Sequence, residues 1–579
     1  MLKTKYQILF LAFIVLGLYY PALFSPSCST DDSYMINNLL NMEDFSIRAL
    51  FFPHGAGQYY RPLLYLSFVF DKYLWGLEES FMHLENVLLH LVNTLLVFAV
   101  TRQLLKLMRQ EADNWLPLAA ALIFAVHPIN TEPVNWISGR TDLMAGTFVL
   151  TSLWLLLESL RSAKVLPAFL SGCALLLGCL CKEPALFFAP PALFLVLCYD
   201  RMEGLHQSIR ARIVRGAAPV LFIVLGASAY LLMRSSALSS KDSGIAAVTK
   251  QIQAPPTDIL NLARIVAKLT GFYLKKVFLP FPLNFGIVEV ANLYVVPGVL
   301  FLLVLCWLLY RRSVSAFLVF SGFCICAPSF ILAVSEMSWT PIAERYLYMP
   351  SACFAIWLVF QGSRLLKDRL TWAPVMVSAL GLLLTGSAYA TVSRGILWQD
   401  NAALFADTLK KSPNFGVARN DLGVALLKQG KKEEAYKIFK SGGVGNFQAA
   451  SLNIAKVLIE EKDFGAAHKL LRERYKEHTR YHAKVLDMLV QVLEAQKANA
   501  KTPHESRVLN RELAEVICEQ YQATGNPFYQ YRLGLTHLSL DNRSSAYRCF
   551  SSAKAAAPAT AHYRPAAIRL AQQFRKQAP

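Results

Sequence analysis

Hydrophobic and polar positions divide this chain into two unlike stretches. Up to about Thr391, long apolar runs alternate with short polar turns. Beyond it, apolar residues recur at helical spacing in a charged background. The run Gln7 to Phe24 has about the length one bilayer crossing requires. Lys3 and Lys5 precede it, so the excess of basic residues on the inner side keeps the N-terminus cytoplasmic. The run is too long, and too poor in small residues at its end, for a cleaved signal peptide.

Later spans follow the same rule. The second covers about His83 to Val100 and leads into Arg102, Lys106 and Arg109. The third runs from near Trp115 to His127-Pro128, and the fourth from Asp142 to Leu157, ahead of Arg161 and Lys164. The fifth and sixth meet at Cys181-Lys182-Glu183-Pro184, and a loop carrying Arg201, Arg210, Arg212 and Arg215 precedes the seventh, which reaches Met233. Two spans flank Arg311-Arg312, two more flank Arg364, Lys367 and Arg369, and the last ends near Thr391. Phe45 to Phe52 and the aromatic stretch Tyr59 to Tyr65 suit an interfacial position. Leu260 to Pro282 is amphipathic, with Arg264, Lys268, Lys275 and Lys276, and reads as interfacial or re-entrant. This gives about eleven spans with the N-terminus inside and the C-terminus outside.

The tail is periodic. Leu422-Gly423, Ala435 and Phe439 fit a tetratricopeptide pattern, and Ala455, Ala467 and Leu471 repeat that spacing. Leu533-Gly534, Ala546, Phe550, Ala553 and Pro558 form a further copy, and a degenerate helical pair covers about Tyr481 to Tyr521. The expected fold is therefore all-α. Residues 1–393 form a polytopic transmembrane helical domain, and residues 394–579 a tetratricopeptide-repeat solenoid with a concave binding face.

The formal charge of +19 is concentrated in the tail, where 29 basic residues from Arg394 onward face 17 acidic ones. A soluble domain tethered to a membrane protein is expected to meet anionic membrane lipids or acidic partners, and no nucleic acid. The eleven cysteines show no metal spacing. Cys179, Cys181, Cys324 and Cys326 lie in apolar runs, whereas Cys518 and Cys549 lie outside them and leave a bridge open. A zinc site is not expected without a His-x-x-x-His or Cys-x-x-Cys motif, and no other metal is indicated.

This topology brings several ionisable clusters to the outer face: Asp31-Asp32, His127 with Glu132, Arg140 with Asp142, Lys182-Glu183 and Glu344-Arg345. Ionisable groups at membrane depth are functional candidates because each must be offset by a partner. Arg140, Lys182 and Arg345 suit the phosphate of a lipid, the arginines by bidentate contact. Asp31 or Asp32 suits the removal of a proton from an acceptor hydroxyl attacking a sugar carbon. Glycosyl transfer places positive charge on the ring and negative charge on the leaving phosphate, which acids opposite a basic cluster would meet. His127 either closes a helix end or orients phosphate or carboxylate. The structural alternative is local locking through pairs such as Arg140–Asp142 and Lys182–Glu183, with Asp31-Asp32 capping a helix. Of the two acids Asp32 is favoured as the base, because Thr30-Asp31 would already supply the cap.

The stretches Tyr60-Arg61-Pro62-Leu63, His83-Leu84 through His90 to Asn93, and His127-Pro128 with Thr131-Glu132 resemble the transmembrane and tetratricopeptide repeat-containing proteins. So do Gly139-Arg140 with Asp142, Lys182-Glu183, and Ala343-Glu344-Arg345-Tyr346-Leu347-Tyr348. The resemblance extends into the tail from Trp398-Gln399-Asp400. That family belongs to the GT-C superfamily of polyprenyl-linked sugar transferases, whose animal members are protein O-mannosyltransferases using dolichyl-phosphate mannose, with lumenal repeats.

The resemblance implies that Asp31-Asp32 is the catalytic acidic pair. It implies a lipid-linked sugar donor and Ser/Thr of an acceptor protein held by the repeats. The modest number of repeats favours a bacterial relative, in an inner membrane with the tail periplasmic; in a eukaryote the tail would be lumenal in the endoplasmic reticulum. The sequon Asn542-Arg543-Ser544 does not choose between them. A lipid or cell-surface glycan acceptor remains open, as does a non-catalytic membrane-anchored scaffold.

Overall fold

The computed structural model describes residues 3–28, 31–42, 45–52, 59–109, 115–204, 208–237, 259–335, 340–368, 370–441, 448–477, 482–558 and 561–575. Thr30, Glu336, Arg369, Tyr481 and Pro579 lie outside this set. The described elements are helical apart from a single bridge between Ile287 and Ile342. The chain separates into two compact units, Met1–Ala418 and Arg419–Pro579, a division later than the change of composition near Thr391.

Eight helices among the described residues are long and apolar enough to cross a membrane: Thr4–Phe24, Glu79–Leu107, Ile137–Ser162, Glu183–Glu203, Arg210–Ala237, Asn292–Arg311, Val314–Val334 and Ala373–Trp398. The expectation of about eleven exceeds this number for a local reason. Leu116–Val126 has 11 residues and Val165–Cys181 has 17. At about 1.5 Å per residue neither reaches the ~30 Å of a hydrocarbon core. Tyr348–Asp368 has 21 residues but is not one of the eight. Nor is Ile259–Phe278, whose four basic residues interrupt its apolar face.

The helix ends fall into two groups. At one end Asp32 meets Ser138, Asp142 meets Lys182, and Glu132 meets Arg345. There also Thr391 Oγ1 donates to Val126 O at 2.8 Å, Gln399 Nε2 donates to Pro21 O at 2.9 Å, and Asn401 Nδ2 donates to Ser27 O at 2.9 Å. The arginine-rich turns at Arg161 and Arg212 belong to the opposite helix ends, with Arg161 on Glu158 and Arg212 and Arg215 on Asp200.

Beneath the polar end sits a buried hydrogen-bonded layer. Asn93 Nδ2 donates to Leu143 O and to Tyr348 Oη, each at 2.9 Å, and His90 Nδ1 lies 2.9 Å from the same hydroxyl. Asn93 Oδ1 has no partner among the described residues, but the other bonds cross between Glu79–Leu107, Arg140–Ser162 and Tyr348–Asp368 and tie the three helices together.

In the second unit successive helices pack on one another, among them Phe464–Tyr475, His482–Ala498, Pro503–Thr524, Pro527–Ser539, Arg543–Ala556 and Arg564–Phe574. The glycines picked out by periodicity have a steric role. A Cβ on Gly423 would lie 2.2 Å from the Phe439 ring, and one on Gly534 would lie 2.5 Å from Phe550. Only hydrogen at these positions lets the partner helix seat its phenylalanine. Cys518 and Cys549 are free thiols here.

Candidate functional site

Asp32 opens the helix Asp32–Leu40 and is 1% exposed. Its Oδ2 accepts from the Cys28 N–H at 2.9 Å, and its Oδ1 accepts from the Ser138 N–H at 3.0 Å and from the Ser138 hydroxyl. The carboxylate thus ties the loop after the first apolar helix to the turn Ile137–Gly139. That turn is itself close-packed, since a Cβ on Gly139 would lie 2.4 Å from Pro133 O.

Of the expected Thr30-Asp31 cap, only Asp31 lies among the described residues. Asp31 occupies the N-cap position, yet its side chain makes no capping hydrogen bond, and Asp31 is only partly buried. The adjacent acid, Asp32, is bound by the Ser138 and Cys28 N–H groups.

Burial pushes the Asp32 carboxyl up from 3.8 to about 7, against the opposing hydrogen bonds from Ser138 and Cys28. The folded protein therefore holds this proton more tightly than the unfolded chain does. The resulting stability is full below the ordinary value of 3.8, falls as pH rises to about 7, and is constant above it. Ser138→Ala removes a bond that favours the ionised form, so the upper edge of this window should move above 7 while the lower edge stays. Thermal unfolding followed against pH in both proteins reads the shift. An unmoved edge would assign the pH dependence to another group.

The remaining candidates pair, but not with their sequence neighbours. Arg140 is 1% exposed; its Nη1 lies 2.7 Å from Asp71 Oδ2 and 2.9 Å from Glu85 Oε2. Its Nε donates to Asn86 Oδ1 at 3.2 Å, its Nη2 to Met82 O at 3.0 Å, and it stacks over the Phe68 ring. These contacts commit the guanidinium to protein acceptors, so Arg140 is a packing centre and its partner is Asp71, not Asp142. Asp142 instead takes Lys182, with Nζ 2.6 Å from both carboxylate oxygens. Glu183 takes Arg61 at 2.7 Å and Arg234 at 3.2 Å.

Arg345 donates through Nη1 to Glu132 at 2.6 Å and through Nη2 to Thr340 at 2.6 Å, and its backbone N–H donates to the other Glu132 oxygen at 3.0 Å. The Trp136 and Tyr346 rings lie about its guanidinium. Glu344, next in sequence, turns away to Lys276 at 2.5 Å and to the Asn284 N–H at 3.0 Å. His127 is a helix terminus. Its Nε2 lies 3.0 Å from Val277 O, its Nδ1 accepts from the Ile129 N–H at 3.3 Å, and burial drives the imidazole down to about 4. A neutral ring held between two backbone groups does not orient a phosphate or a carboxylate.

The pairs nevertheless share one neighbourhood. The Asp142 charge acts on both the Arg61 and the Arg345 guanidinium groups, and Lys182 sits over the Tyr346 ring. Burial raises the Tyr59 hydroxyl above its ordinary value, and Arg61, Glu183, Tyr346 and Asp31 all act on it. Asp31, Tyr59, Arg61, Asp142, Lys182, Glu183, Arg345 and Tyr346 thus form the charged mouth, with Glu132 below Arg345. Sequence reasoning passed over Arg61, Asp71, Ser138, Arg234 and Lys276 as site residues. Arg61 carried a signal, since it stands in Tyr60-Arg61-Pro62-Leu63, but the stretch read as an aromatic belt.

No family model matches the chain, and no solved structure does. Among known proteins, the mouse protein O-mannosyl-transferase TMTC3 is 25% identical over 409 residues, covering 66% of this chain and 44% of the mouse protein. The Drosophila melanogaster protein O-mannosyl-transferase Tmtc3 is 24% identical over 519 residues, 74% of this chain and 53% of the fly protein. The fly Tmtc2 protein is 35% identical over a shorter stretch of 186 residues, 30% of this chain and 18% of that protein. The chain spans about half the length of the first two relatives. These matches, together with a multi-pass helical unit, make the chain an integral membrane protein and a distant homologue of the TMTC protein O-mannosyl-transferases.

Proposed function

We propose that the chain transfers a hexose, mannose in the first instance, from a polyprenyl-phosphate donor to Ser or Thr of a protein on the outer face of the membrane. The observation that carries this reading is the tether of Asp32 to Ser138, which holds the Asp31-Asp32 loop against the cation-rich mouth. Asp31 is the partly exposed member of the pair, so it takes the proton from the acceptor hydroxyl while Asp32 positions the loop. Lys182 and Arg345 form the floor where negative charge develops on the leaving phosphate. Each is already balanced by a carboxylate, Asp142 and Glu132, which keeps it ionised at low exposure. Arg140 has no part in donor contact.

The second unit, read as a tetratricopeptide solenoid on the same outer face, binds the acceptor protein. Glycoproteomics of exported proteins with and without this chain tests the reading. Hexose-modified Ser/Thr peptides lost with the chain support it, and an unchanged glycoproteome opposes it.

Arg345→Lys keeps the charge but loses the planar fork that spans Glu132 and Thr340. The expected result is a raised donor KM with normal membrane insertion. An unchanged KM in Arg345→Lys would make the residue a packing partner of Glu132 alone.

A further inference from the structure

Between the helix Ile259–Phe278 and the turn Asn292–Tyr294 the chain runs without helix, yet residues 283–287 are all buried. A connecting segment normally stays at the surface, where water satisfies its backbone groups. Here side chains of other elements take that place. Lys276, 2% exposed, donates through Nζ to Pro280 O at 3.2 Å and to Pro282 O. Lys411 Nζ donates to Leu283 O at 2.7 Å.

One side of this loop holds the mouth. Glu344 Oε1 accepts from Lys276 Nζ at 2.5 Å and from the Asn284 N–H at 3.0 Å, and Ile287 forms the antiparallel bridge with Ile342. The next residue after Glu344 is Arg345, in the four-residue 3-10 turn Glu344–Leu347. A turn that short has little stability of its own, so tertiary ties decide where its side chains point.

The other side is bound to the segment that leads into the second unit. Asn284 Nδ2 donates to Ser412 Oγ at 2.9 Å, directly after the helix Asn401–Lys411. The Phe285 ring, 1% exposed, has its centre 5.3 Å from that of Trp398 and 5.9 Å from that of Phe405. It also lies 5.8 Å from the Trp136 ring, which is 5.0 Å from the Arg345 guanidinium. Gly286 is required by the fit, since a Cβ there would lie 1.9 Å from the Phe415 ring.

We propose that the loop 280–287 is a strut between the Glu344–Leu347 turn and the helix Asn401–Lys411, and that Asn284 and Gly286 are positioning residues for Arg345. Neither residue belongs to the charged mouth. They act through Glu344, which the Asn284 N–H holds, and through Trp136, which Phe285 holds. The strut stands on these contacts alone; its effect on the lipid-linked donor rests on the transferase reading.

The test uses the full chain in phosphatidylcholine nanodiscs, with kinetics and hydrogen exchange measured on the same preparations. Weakening the competent placement by one hydrogen bond corresponds to about fivefold in affinity, so Asn284→Ala should raise the donor KM by about that factor. Gly286→Ala, whose methyl strikes Phe415, should raise it further, and both should leave the acceptor KM unchanged. Loss of folded protein would instead lower kcat and leave both KM values alone. Adding Phe415→Ala to Gly286→Ala removes the ring that the methyl strikes and should return most of the donor KM. In both single variants the segment 344–348, which includes the Arg345 N–H held by Glu132, should exchange hydrogen faster than in wild type. Unchanged exchange in both would overturn the strut. Faster exchange with an unchanged donor KM in an active protein would overturn the positioning role. A wild type that transfers no sugar, while exchange still responds to the variants, sinks the transferase reading and leaves the strut standing.

Discussion

Asp31→Asn should abolish sugar transfer, by about a hundredfold or more, in a protein that still inserts and folds. The asparagine is nearly isosteric but cannot accept the hydroxyl proton, and Asp31 makes no capping bond whose loss would unfold the following helix. Asp32→Asn should behave in the opposite way. Its carboxylate accepts from the Cys28 N–H, the Ser138 N–H and the Ser138 hydroxyl, and a carboxamide nitrogen cannot accept from any of them. One donor would be left facing another donor, at about 1–3 kcal/mol. Lower thermal stability with partial turnover is therefore the signature expected of Asp32→Asn. Comparing turnover with unfolding temperature in the two variants separates the roles, and a stable Asp32→Asn that is fully inactive would exchange them.

The second large effect is structural. Arg140→Ala should destabilise the membrane unit by about 3–5 kcal/mol, because it leaves Asp71 buried with its charge uncompensated. Arg140→Lys should recover little, since one ammonium cannot reach Asp71, Asn86 and Met82 O together. Adding Asp71→Asn to Arg140→Ala should restore part of the loss, because no buried carboxylate then lacks a partner. Unfolding temperature in detergent reads all three. A stable Arg140→Ala with a raised donor KM would return Arg140 to the donor-binding set.

The membrane segments were legible because length and apolarity are properties of a local window. Leu116–Val126 shows the limit, since the run read as a span ends at His127-Pro128, as the helix does, and holds only 11 residues. The candidate residues were legible as a set and illegible as pairs. Arg140 and Asp142 stand two apart on one helix and so face different directions, and Lys182 and Glu183 diverge where a helix ends and a 3-10 turn begins. Partner choice is decided where helix ends meet. Lys182 finds Asp142 across 40 residues and Arg345 finds Glu132 across 213. The commitment of Asp32 was illegible for a related reason, because sequence left its carboxylate free beside a Thr30-Asp31 cap, whereas Ser138 of a distant turn takes it.

The most direct measurement is transfer in a purified system: the full chain in vesicles, polyprenyl-phosphate mannose as donor, and exported-protein peptides rich in Ser and Thr as acceptors, read by mass spectrometry. Hexose should appear on peptide hydroxyls with wild type and be absent with Asp31→Asn. Equal transfer by Asp31→Asn, or no transfer by wild type from any polyprenyl-phosphate sugar, would contradict the account.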